Sequence, residues 1–144
     1  FAEAMRKELN IPLMVTGGLR RLDAMNAALE TGCADMIGIG RPLCVVTDAP
    51  AQLLRGLAEL PRFESELSLL PKALSFLNGI KLVRTVSAFA TQYWFYEQIA
   101  ALGHTGSARV DMGVMAATKA QTKAANVWLA ERQALITGAP RESA

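Results

Sequence analysis

Apolar positions in the first sixty residues switch between two spacings. In FAEAMRKELN the apolar Ala4, Met5 and Leu9 recur at helical intervals, and Asn10 ends the run. Ile11 to Val15 is a short continuous apolar run, which predicts a strand buried on both faces, and Gly17-Gly18 ends it. In LRRLDAMNAALETG the apolar stripe is Leu22, Met25, Ala28 and Leu29, which predicts a helix stopped by Gly32 at C′. Met36, Ile37 and Ile39 predict a second buried strand that Gly40 ends. Pro42 then suits the first turn of a new helix, because its missing N–H would be unpaired there anyway. Asp48 with Pro50 is a further helix start, leading into AQLLRGLAEL. Residues 1–58 thus predict helix, strand, helix, strand, helix. Two βα units with short connections imply a parallel sheet and an α/β fold.

The pattern changes after residue 63. From about Glu64 onward only helical spacings occur, so the chain divides into 1–63 and a helical extension over 64–144. Leu67, Leu70, Leu74 and Leu77 are spaced for one helix face, with Pro71 as a break and Asn78-Gly79 as a stop. Val86, Phe89, Ala90, Tyr93 and Tyr96 mark one side of a longer helix, and LGHTGSAR reads as a loop. Ala117, Ala120, Ala124, Val127 and Trp128 line a last helix that ends near Thr137-Gly138. The chain opens at Phe1 already inside a helix-like segment, and the expectation is a fragment of a longer protein.

Composition narrows the function classes. The chain is 51% hydrophobic and 19% charged, the profile of a soluble globular protein. A net charge of +2 without a Lys/Arg run argues against a nucleic-acid partner. The most apolar long window, Val83 to Leu102, is interrupted by Arg84, Gln92, Glu97 and Gln98, so no membrane span is expected. Cys33 and Cys44 make neither a disulfide framework nor metal-ligand spacing, and read as buried free thiols in a reducing, cytoplasmic setting. No metal site is expected.

The chemistry lies in the two glycine loops. VTGGLRRLD and IGIGRPL each follow a predicted parallel strand, and ligands of α/β proteins bind at that edge. Glycine lets the backbone approach an anion, and successive N–H groups then point at its oxygens. A following helix N-terminus adds positive partial charge, and Arg41 can add a charge-assisted contact. Two consecutive βα loops acting together match the phosphate site after strands 7 and 8 of a (β/α)8 barrel. Gly17, Gly18, Gly40 and Arg41 are therefore the candidate phosphate residues, and residues 1–63 the last two βα units of such a barrel. The bland alternative is that each glycine pair is only a turn.

Residues 12–50, PLMVTGGLRRLDAMNAALETGCADMIGIGRPLCVVTDAP, resemble the C-terminal part of the old yellow enzyme family, the NADH:flavin oxidoreductases. The resemblance implies an FMN-binding TIM barrel in which the GG and GRP loops hold the FMN phosphate. Carried over, Gly17, Gly18 and Gly40 would bind it through backbone N–H groups, and Arg41 through its side chain as well. Val46-Thr47-Asp48 departs from the family's Asn-Pro-Asp or Asp-Pro-Asp, although Asp48 and Pro50 still start a helix. The resemblance further implies NAD(P)H as reductant and a small electron acceptor, such as an activated alkene, as substrate. The family's substrate-binding His pair and Tyr proton donor lie on earlier strands, so this chain has no catalytic candidate and is expected to be inactive by itself.

The other residues have plainer readings. His104, the one histidine, reads as a surface loop residue with no partner to make it a base. Arg20 and Arg21 read as a solvated helix start, with a reach to the phosphate as the alternative. Tyr93 to Glu97 reads as an anchor holding the extension onto the barrel or onto another subunit of a homo-oligomer. Lys119 and Lys123 form a solvated helix face. Two further functions compete. An α-hydroxy-acid oxidase has similar phosphate loops but places a His-containing motif before strand 7, and no His precedes residue 104 here. A non-catalytic helical product is the other, since two strands cannot close a barrel and their exposed edges invite aggregation.

Overall fold

The computed structural model describes residues 1–70, Phe76 and residues 79–137. It divides into two compact units, Phe1–Glu66 and Leu67–Ala144. The described residues are mostly helical, with one small parallel sheet.

The first unit runs α1 (Ala2–Glu8), β1 (Met14–Thr16), α2 (Leu22–Glu30), β2 (Met36–Gly38), a short 3-10 helix (Arg41–Cys44) and α3 (Ala49–Leu54). The order is the one the apolar spacing predicts, and the architecture is compatible with an α/β fragment. β1 and β2 pair in parallel, with Met14 opposite Met36, Val15 opposite Ile37 and Thr16 opposite Gly38. α2 ends where expected: Thr31 caps it and Gly32 takes the left-handed conformation at φ 69°. Arg6 of α1 donates from Nε to the Gly32 carbonyl (3.0 Å) and pairs through Nη2 with Asp35. Asp35 in turn accepts the Leu13 N–H (2.8 Å), which fixes the entry to β1. These two bonds hold the Asp35 carboxyl below its ordinary range, the backbone N–H contributing most and Arg6 next.

Met25, Ala49, Leu53 and Leu60 form the core of this unit, with Ile37, Ile39, Leu43 and Val46 against it. The strands differ from the sequence reading. Each has three residues, and only one face is covered. Met14 is 62% and Met36 60% exposed, because period-two alternation turns them away from the core that Ile37 meets. Ile11 is exposed too, and so is Leu29 of the expected α2 stripe. α3 is also shorter than AQLLRGLAEL suggests. It stops at Leu54, and Gly56 at φ 99° turns the chain back. Residues 58–60 then run antiparallel beside 20–22: Leu22 N–H donates to Ala58 O (2.8 Å) and Leu60 N–H to Arg20 O (2.9 Å). Leu60 is thereby drawn into the core.

Leu67 and Leu70 lie in irregular chain rather than on a helix, after a second 3-10 helix at Phe63–Ser65. Pro71, Leu74, Leu77, Asn78 and Gly138 lie outside the described residues.

The second unit contains α4 (Lys81–Thr105) and α5 (Val114–Thr137), which lie against each other. α4 passes straight through the start of LGHTGSAR, and Gly106 caps it at φ 73°. Gly106 rather than Gly103 is the stop, because the left-handed position falls there. The buried face of α4 is Ala90, Trp94, Phe95, Gln98 and Ala101; Val86, Phe89 and Tyr96 are exposed. The true face is offset by one residue from the tyrosines, since a buried Gln breaks the apolar pattern. Gln98 is fully buried and accepts the Arg109 N–H (2.7 Å), while Trp94 donates to the Met112 carbonyl (2.7 Å). Both bonds pin the connection between the helices. On α5 only Val114 and Ala117 are buried, and Ala124, Val127 and Trp128 are exposed. No helix among the described residues is long and apolar enough to cross a membrane.

Candidate functional site

The parallel register decides where the glycine loops lie. Thr16 and Gly38 are partners at the ends of their strands, so Gly17-Gly18 and Ile39-Gly40-Arg41 leave the same edge of the sheet. Adjacent strands are about 4.8 Å apart, which makes these two loops neighbours. Both glycines of the first loop have positive φ, 118° at Gly17 and 74° at Gly18, which an L side chain adopts only with strain. A Cβ added at Gly17, Gly18 or Gly40 would meet nothing within 4 Å. Gly17 and Gly18 thus need glycine for conformation rather than for internal packing, whereas Gly40, at φ −105°, is simply uncrowded.

Gly38 behaves differently. A Cβ there would lie 1.8 Å from Thr16 Oγ1 and 2.9 Å from Thr16 Cβ. The Thr16 side chain covers Gly38 at the exit of both strands, and this close approach is what the first glycine of GIG provides.

The helix starts are weaker than the sequence predicts. α2 begins at Leu22, beyond Arg20 and Arg21, and the helix after Gly40 is a 3-10 turn of four residues. Positive charge at the loops therefore comes mainly from arginine side chains. Arg41 is 62% exposed and its Nη1 stands 3.6 Å from Glu64 Oε1. Arg20 is not solvated, contrary to the sequence reading: it is only 7% exposed and its Nη2 donates to the same Glu64 Oε1 at 2.8 Å. The polar side chain draws into the fold because the antiparallel segment 58–60 carries Glu64 back beside it. Arg21 is exposed and pairs with Asp23. For Glu64, burial alone raises the carboxyl, but its own backbone N–H and the Arg20 guanidinium outweigh this and hold it below the usual range. Arg20 Nε and Glu64 Oε2 are buried with no hydrogen-bond partner.

The structure thus brings Gly17, Gly18, Gly40 and Arg41 to one sheet edge and adds Gly38, Arg20 and Glu64. Alternation along GIG was the available signal for Gly38. Nothing local signals Glu64, which lies 44 residues from Arg20. Cys33 and Cys44 are half-buried rather than buried, and desolvation pushes the Cys44 thiol up. His104 is exposed on the last turn of α4, not in a loop. Among the described residues, no group of three or more His, Cys, Asp or Glu could hold a metal ion.

Comparison with known proteins yields one informative likeness. A stretch of 46 residues, 31% of this chain, is 50% identical to part of the NADH-dependent flavin oxidoreductase iccE of Talaromyces variabilis. The match covers 11% of that protein's length. No family model and no solved structure matches the chain. The chain therefore shares one short segment with a flavin oxidoreductase and spans about a tenth of that protein's length.

Proposed function

We propose that this chain is the C-terminal part of an FMN-dependent NAD(P)H oxidoreductase similar to the old yellow enzymes. Residues 1–63 would supply the last two βα units of its TIM barrel and the loops that hold the FMN phosphate. The observation that carries this reading is the register of Thr16 with Gly38, which sends both glycine loops from one edge of a parallel pair. The residues suit a phosphate. Gly17 and Gly18 turn with positive φ into open space, and Arg41 keeps its guanidinium largely in solvent beside Gly40. The shared segment with an NADH-dependent flavin oxidoreductase supports the same class.

In this reading FMN, when bound, supplies hydride chemistry between NAD(P)H and a small acceptor such as an activated alkene. The residues of this chain would hold and orient it: Gly17, Gly18 and Gly40 would offer backbone N–H groups to the phosphate, and Arg41 would neutralise part of its charge. Groups that donate a proton to the acceptor belong to other strands of the barrel.

The test is Arg41→Ala in the intact natural protein. FMN affinity should fall by about 1.5–3 kcal/mol, the scale of a hydrogen bond to a charged group. Flavin fluorescence during titration of the apoprotein measures it. Unchanged FMN affinity removes Arg41 from the site.

A further inference from the structure

Arg20 follows the first glycine loop and Arg41 lies in the second, yet both point at one oxygen of Glu64. Arg20 Nη2 is 2.8 Å and Arg41 Nη1 3.6 Å from Glu64 Oε1. Glu64 itself comes from a different segment, the 3-10 helix Phe63–Ser65. That helix is delivered by the antiparallel pairing of residues 58–60 with 20–22. The three side chains carry a net charge of +1, so the carboxylate spans the two loops and leaves the site cationic.

We infer that Glu64 is a positioning residue for phosphate binding, which fixes the first glycine loop through Arg20 beside Arg41 of the second. This inference rests on the phosphate reading above. Two opposing effects decide the sign. Glu64 is a negative charge near the anion, which by itself weakens phosphate binding. It is also the partner of a nearly buried guanidinium, and removing one member of such a pair leaves a charge uncompensated. The exposed contact to Arg41 is worth little, whereas the Arg20 contact is not. Positioning therefore outweighs repulsion.

Glu64 Oε2 and Arg20 Nε are both buried without hydrogen-bond partners. The carboxylate therefore reaches Arg20 through one oxygen only, the same oxygen that faces Arg41. If Arg41 turns to a phosphate, the Arg20 contact can hold the first loop in place.

The experiment compares FMN with riboflavin, which has the same ring system and no phosphate, on the intact natural protein. Glu64→Gln keeps the size and one acceptor oxygen but removes the charge. The expected result is about ten- to a hundredfold weaker FMN binding with riboflavin binding unchanged. If Glu64→Gln lowers the soluble yield, the double variant R20M/E64L removes both buried charges together and carries the same comparison. FMN binding that is unchanged or tighter overturns the inference, because repulsion or nothing then governs. Equal loss of both flavins also overturns it, since Glu64 would then only hold the fold. Failure of the underlying reading looks different: the unmodified protein would bind riboflavin as tightly as FMN.

Discussion

Gly38→Ala tests how tightly the exit of the two strands is built. The added Cβ would fall 1.8 Å from Thr16 Oγ1, 2.9 Å from Thr16 Cβ and 3.2 Å from Thr16 Cγ2. Rotating Thr16 about χ1 moves Oγ1 and Cγ2 but leaves Cβ where it is. Relief therefore needs movement of the backbone, between residues whose ladder partners define the sheet. Overpacking of this kind costs about 1–3 kcal/mol. Gly38 is not in the left-handed region, so alanine also restricts the unfolded chain and returns about 0.4–1 kcal/mol. The net expectation is a loss of about 1–2 kcal/mol. Urea unfolding followed by circular dichroism reads it as a lower midpoint at constant slope. Thr16→Gly in the same background removes the obstructing atoms, so the double-mutant cycle should show a coupling of similar size. A Gly38→Ala protein as stable as the parent, or a cycle with no coupling, refutes the close-packing argument.

Two further outcomes follow from the geometry. The depressed carboxyls of Asp35 and Glu64 make acid sensitivity predictable. A folded-state pKa below the unfolded value of about 4 gives stability that is complete above that value and lost as pH falls through the lower one. Thermal melts should therefore drop below about pH 4, and Asp35→Asn should lower the melting temperature at pH 7 while flattening that drop; an unchanged acid profile refutes the role of Asp35. In the second unit, Trp94→Phe removes the 2.7 Å bond to the Met112 carbonyl and should cost about 1–3 kcal/mol in urea unfolding. A loss within error of zero would mean the connection between α4 and α5 is held by other contacts.

Much of the first unit was legible in the chain. Pro42, Gly32 and the change between helical and strand spacing marked α1, β1, α2, β2 and the turn after Gly40, because each signal is local: a missing donor, a left-handed stop, an apolar period. The glycine pairs were visible for the same reason. Whether a strand is covered on one face or two was not, since Met14 and Ile37 both belong to apolar runs and only the layers around the sheet distinguish them. The second unit misled where a polar residue, Gln98, is buried because it satisfies the Arg109 N–H; spacing alone then pointed to the neighbouring tyrosine face.

Local sequence thus determined the order of the elements and the glycines at their ends. Tertiary structure decided which of those ends meet. The parallel register places Gly17-Gly18 beside Gly40-Arg41. The return of residues 58–60 along Arg20–Leu22 brings Glu64 to both arginines. Conformational preference is carried by each residue and its neighbours. An ion pair across 44 residues exists only once the intervening helices and strands have closed the distance.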